Sequence, residues 1–149
     1  MKRILTLLLI VTVFINNGFS QSKAIDILEI KTDEIPSEYK ISKKLECQAI
    51  QSRILYKNPG LYSFILGELK EKRFQTFKYK GKKGSILYFE FDKEAENGKA
   101  FIQATLWGGN RPNRAHPEKI ITKGNVMIVL SFPFKSEIGE TLTELISKK

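Results

Sequence analysis

The chain is poor in the residues from which small proteins build covalent or metal-held frameworks. It has one cysteine, Cys47, and one histidine, His116, in 149 residues. A single cysteine excludes an internal disulfide framework. One Cys and one His exclude a structural zinc site, which takes four such ligands. No Asp/Asn-rich loop of the calcium type is present. The phosphate-binding G-x-x-x-x-G-K-[ST], dinucleotide-binding G-x-G-x-x-G, zinc-protease H-E-x-x-H and hydrolase G-x-S-x-G patterns are all absent. So are internal repeats, low-complexity tracts and N-x-[ST] glycosylation sites. The sequence therefore points to no metal or cofactor, a hard-cation site built from scattered carboxylates being the one metal alternative, and it names no reaction.

No apolar run reaches the roughly 20 residues of a membrane-spanning helix. The longest stretch, Ile4–Ile15, holds ten apolar residues and two threonines, follows the basic pair Lys2 and Arg3, and ends at Asn16-Asn17-Gly18. Gly18 and Ser20 occupy the small-residue positions of a cleavage site. This layout predicts a signal peptide over residues 1–20 and a single domain over 21–149. An export signal, scarce cysteine and no glycosylation site together suggest a bacterial periplasmic or secreted protein, with no transmembrane segment after cleavage.

Acidic residues are outnumbered, 16 to 25, for a net charge of +9 that falls by two with Lys2 and Arg3. Beyond Ser20 the basic residues are nineteen lysines and only four arginines. Lysine is a hydrated point charge, whereas arginine is the specific binder of phosphate and carboxylate. The excess therefore reads as a solvated surface or as attraction to an anionic glycan, a lipid head group or an acidic envelope protein. Nucleic acid is not expected as a partner.

Along the chain, Ala24–Ile30 reads as a strand, and Ser37 as the cap of a helix running to Tyr56 with Cys47, Ile50 and Ile54 on one face. Asn58-Pro59-Gly60 breaks it, and Leu61, Ile65 and Leu69 mark a second helical stripe. Phe74–Tyr79 is extended and Lys80–Gly84 is a hairpin tip. Ser85–Phe91 is a central strand, with Leu87, Phe89 and Phe91 on one face and Ile86 and Tyr88 on the other. A helix is expected over Asp92–Leu106, a strand over Val126–Phe132 and a helix capped by Ser136. The order suggests an α+β domain with a ferredoxin-like β-α-β-β-α-β antiparallel sheet and an added C-terminal helix. That sheet has a bare face, which the last helix or a homodimer partner would cover.

Four places offer chemistry. Trp107–Lys123 is a long connection holding the only Trp, the only His and two arginines. Arg111, Arg114 and His116 are placed to converge on an anion, with Trp107 as a stacking surface and Glu118 nearby. Lys78, Lys80, Lys82 and Lys83 at the hairpin tip are candidates for attachment to an anionic surface. Cys47 lies on an apolar helical stripe, where a buried thiol is ordinary, and a Cys47–His116 dyad is the catalytic alternative. Ser37–Lys40 matches S-x-x-K without its partner motifs. The resulting expectation is a non-catalytic binding or interaction module. A small hydrolase or transferase acting on an anionic envelope polymer, with His116 and Glu118 as acid and base, is one alternative; a structural homodimer is another.

Overall fold

The structure, a computed structural model, describes residues 23–106 and 111–149. The expected signal peptide and Trp107 lie outside them. The helices are α1 (Lys23–Leu28), α2 (Ile50–Lys57), α3 (Ser63–Leu66), α4 (Glu96–Leu106) and α5 (Glu137–Lys148). The strands are β1 (Lys40–Ser42), β2 (Leu69–Tyr79), β3 (Lys82–Phe91), β4 (Lys119–Lys123) and β5 (Val126–Ser131). All pair antiparallel in one sheet of order β1-β2-β3-β5-β4.

Helices cover both faces of this sheet. On one, Ile86 and Tyr88 of β3 and Ile128 and Leu130 of β5 meet Ile25 and Leu28 of α1 and Ile138, Leu142 and Ile146 of α5. On the other, Leu87, Phe89 and Phe91 with Met127 and Val129 meet Leu55 of α2, Leu66 of α3 and Ile102 of α4. Period-two alternation in β3 and β5 thus feeds two cores, which explains why Ile86–Phe89 and Val126–Leu130 are apolar on both faces. Each fully buried aliphatic or aromatic side chain contributes about 1.5–3 kcal/mol.

Two tight turns set the register. Lys80 and Gly81 take positive φ, 47° and 75°, between the paired Tyr79 and Lys82. Positive φ at both central residues matches the right-handed twist of the flanking strands. Gly124, at φ 58°, opens a second two-residue turn between the paired Lys123 and Val126, in which it alone takes positive φ.

The α+β class, the hairpin, β3 and the capped last helix are as expected, and the helix expected over Asp92–Leu106 is present as α4 but begins only at Glu96; α5 does cover the second face, with Ser136 Oγ accepting from Gly139 N at 3.3 Å. The first expected strand, Ala24–Ile30, is instead helix α1: Ile25 and Leu28, three apart, point inward, while Ile27 is 66 % exposed. Ser37 caps no helix; it sits in the turn before β1, and the helix expected from there begins only at Ile50. The second helical stripe is shorter than expected because the chain passes from α3 through Gly67, at φ 89°, into β2 at Leu69. Val126–Ser131 is not an edge, since β4, unexpected in the long connection, pairs outside it. The ferredoxin-like order is not observed. β3, α4 and β4 do form a crossover that skips β5, but β1 and β2 are direct neighbours, so the first half of the split unit is missing.

Candidate functional site

The connection Arg111–Glu118 is a shaped loop. Asn113 Oδ1 accepts from the amides of Ala115 (2.9 Å) and His116 (3.0 Å), and Asn113 N donates to His116 O at 3.0 Å. A short amide side chain that closes on the backbone two and three residues on is a turn-forming device. Where the loop becomes β4, strand alternation sends Glu118 to the α2 face of the sheet and Lys119 to the α5 face. The predicted site residues are therefore divided. Arg111 and Arg114 are exposed, His116 is half-buried and Glu118 is buried.

On the α2 face lies a buried polar stripe. Thr76, Ser85 and Ser131 stand opposite one another on β2, β3 and β5. Thr76 Oγ1 and Ser85 Oγ are 2.5 Å apart. Ser85 Oγ also accepts from Glu46 N (3.0 Å) and donates to Glu46 O (3.1 Å), and Ser131 Oγ accepts from Gln48 N at 2.8 Å. The hydroxyls thus satisfy backbone groups of the segment that carries Cys47. Ser52 Oγ donates to Glu118 Oε1 at 3.0 Å, while Glu118 Oε2 and His116 Nδ1 are buried with no partner among the described residues. Burial pushes the Glu118 carboxyl above its ordinary range, against the pull of hydrogen bonds and of nearby His116. Burial also pushes the Cys47 thiol up to about 11. A neutral thiol is a poor nucleophile, so Cys47 is not poised for a Cys–His dyad.

The α5 face carries an open cleft of about 260 Å³. Pro112 and Pro117 from the loop form one wall. Phe132, Pro133 and Phe134, from the end of β5 and the turn after it, also line it. Gly139 and Thr143 of α5 close it, with Lys119, Lys135 and Glu140 as its charged groups. Lys135 Nζ lies 5.5 Å from the centre of the Phe134 ring. The cleft also abuts the positive end of the α5 dipole at Ser136 and Gly139. An apolar wall with a few cationic groups is suited to an apolar ligand bearing negative charge.

The expected loop thus contributes its prolines to the cleft, and not its arginines. Phe134, Lys135, Gly139 and Thr143 were missed. Their signal was an aromatic beside a proline in the three-residue turn before a capped helix.

The four lysines of the hairpin also divide. Lys78 and Lys83 are opposite one another on the α2 face, while Lys82 pairs with Tyr79 on the α5 face. Lys80 Nζ is 3.9 Å from Glu137 Oε2 on α5. Among the described residues, no group of three or more His, Cys, Asp or Glu is placed to hold a metal ion. No helix among them is long and apolar enough to cross a membrane. Compared with known proteins, the chain matches no family model, no curated sequence and no solved structure.

Proposed function

We propose that the chain is an exported, non-catalytic binding module of the bacterial envelope, and that the cleft between the 111–118 loop and α5 holds an apolar ligand segment carrying an anionic group. The observation that supports this most is the lining itself. Three prolines and two phenylalanines meet in one open cleft beside Lys119 and Lys135. Proline walls are stiff, so little order is lost on binding, and a preorganised site binds more tightly for the same contacts. Exposed apolar concavity is costly for a monomer to keep and commonly marks a binding surface.

The binding reading is preferred to the hydrolase reading because the expected arginine clamps and the expected carboxyl are divided between the exposed loop and the buried α2 face. Arg111 and Arg114 are exposed, whereas Glu118 is buried, and its Oε2, like His116 Nδ1, has no partner among the described residues.

The test is titration with 1-anilinonaphthalene-8-sulfonate, an apolar ring system carrying a sulfonate. The expected result is a saturable component weakened at least about tenfold by Phe134→Ser, the contact of one apolar side chain being lost. Lys119→Gln should weaken it less, and Phe64→Ser, on the far side of the sheet, should leave it unchanged. Equal binding by all variants would remove the cleft from consideration.

A further inference from the structure

The α2 face of the sheet presents a surface unlike the cleft. Six large apolar side chains are exposed among the described residues, and four of them, Ile50, Ile54, Leu61 and Phe64, lie within one stretch of fifteen residues. Phe64 is 77 % exposed. Ile50 and Ile54 are one turn apart on α2, on the side away from the buried Ser52 and Leu55. Leu61 sits in the 3-10 turn Pro59–Tyr62, which packs against both α2 and α3. The stretch from Cys47 to Gly67 has no acidic residue, and its only charges are Arg53 and Lys57, both exposed.

Beside this patch the cations are aligned. Lys40, Lys78 and Lys83 are mutual cross-strand partners on β1, β2 and β3, in one row on the α2 face. Like charges directly opposite one another are unfavourable in an isolated sheet. The row abuts the start of α2, because Gln48 Nε2 donates to Lys83 O at 2.7 Å. The acidic residues that flank the stretch are already paired: Glu46 with Lys83 at 3.1 Å and Glu68 with Lys70 at 3.8 Å.

We infer that this face docks on an anionic phospholipid bilayer. Phe64, Leu61, Ile50 and Ile54 enter the head-group boundary, and Lys40, Lys78, Arg53 and Lys57 lie over the lipid charges. Apolar side chains inserted beside cations are the two signals that peripheral membrane attachment combines. Protein partners match such a surface less well, because an interface core is depleted of lysine. The cleft lies on the opposite face of the sheet, so it stays open to solution when this face is docked.

Vesicle co-sedimentation tests the inference, comparing phosphatidylcholine with phosphatidylcholine containing phosphatidylglycerol. Ile4–Ile15 is itself apolar, so each variant is compared with its parent at the same length, both as the full chain and from Gln21 onward. The parent should partition at least about tenfold better onto the anionic vesicles, and salt should reverse this. Ile50→Ser with Leu61→Ser should lower partitioning by about tenfold or more at an unchanged melting temperature, since both side chains are exposed. Lys40→Gln with Lys78→Gln should lower it severalfold and flatten the salt dependence. Equal partitioning of parent and variants would overturn the inference. So would a dimer in solution that the double serine variant abolishes, because the face would then belong to a second copy. Neither result bears on the cleft, whose probe depends on Phe134.

Discussion

Ser52 and Glu118, sixty-six residues apart in the chain, are joined by a 3.0 Å hydrogen bond that ties α2 to the start of β4. The second oxygen of the same carboxylate is buried with no partner among the described residues. Ser52→Ala should cost about 1–3 kcal/mol, the usual penalty for stripping a buried acceptor, read as a lower urea midpoint with an unchanged slope.

The same carboxyl predicts a pH dependence. Burial raises the Glu118 pKa in the folded state above the ordinary 4.5. The native chain therefore holds this proton to higher pH than the unfolded chain does. Stability from this group is complete below 4.5 and declines as pH rises through the interval up to the folded value. Glu118→Gln keeps an acceptor for Ser52 and removes the decline. It should raise stability near neutrality and change it little below 4.5, as urea midpoints at the two pH values would show. An equal effect at both would contradict the assignment.

Gln75 is a second fastening. Its Oε1 accepts from Ile30 N (3.0 Å) and Tyr88 Oη (2.7 Å), and its Nε2 donates to Ile30 O (2.8 Å). Gln75→Ala leaves three polar groups to find new partners, at a cost of about 2–4 kcal/mol. Hydrogen exchange should show α1 losing protection before the sheet does, because Ile30 anchors the segment that follows it.

A Cβ added at Gly84 would meet the Phe132 ring and stand 2.5 Å from Ser131 O, whereas at Gly60 it would meet nothing within 4 Å. Gly84→Ala should destabilise by about 1–3 kcal/mol through overpacking. Gly60→Ala should be neutral or stabilising by up to about 1 kcal/mol, from the unfolded-chain entropy it removes. Thermal melts of the two variants check the contrast.

Export makes its own prediction. When the full chain is produced in a bacterium, the mature protein should begin at Gln21, as intact mass and N-terminal sequencing would show. A retained Met1 would count against the export reading.

What could be read in the sequence followed from burial. β3 and β5 are buried on both faces, so their apolar runs are unbroken and unambiguous. α5 shows Ile138, Leu142, Leu145 and Ile146 at helical spacing behind a serine cap. α1 was misread because Ala24–Ile30 is short and isoleucine-rich, which suits a strand as well as one and a half turns of helix. Only packing distinguishes the two, by burying Ile25 and Leu28 and leaving Ile27 out. β1 is three largely exposed residues, held by its pairing with β2, and has no pattern of its own. β4 had a signal that went unused: two apolar runs, Ile120–Thr122 and Val126–Leu130, around Gly124-Asn125. The candidate site was legible only as a loop. That its prolines and not its arginines would line a cleft depends on the parity of β4, which sends Glu118 and Lys119 to opposite faces.

The central claim is that the cleft beside α5 is occupied by a ligand in the cell. Native mass spectrometry of the chain from Gln21 onward, purified under mild conditions from the envelope fraction, tests it most directly. The account predicts one additional mass per chain, retained in the Phe64→Ser variant and lost in Phe134→Ser. A bare chain for the parent, or an additional mass that Phe134→Ser leaves in place, would contradict it.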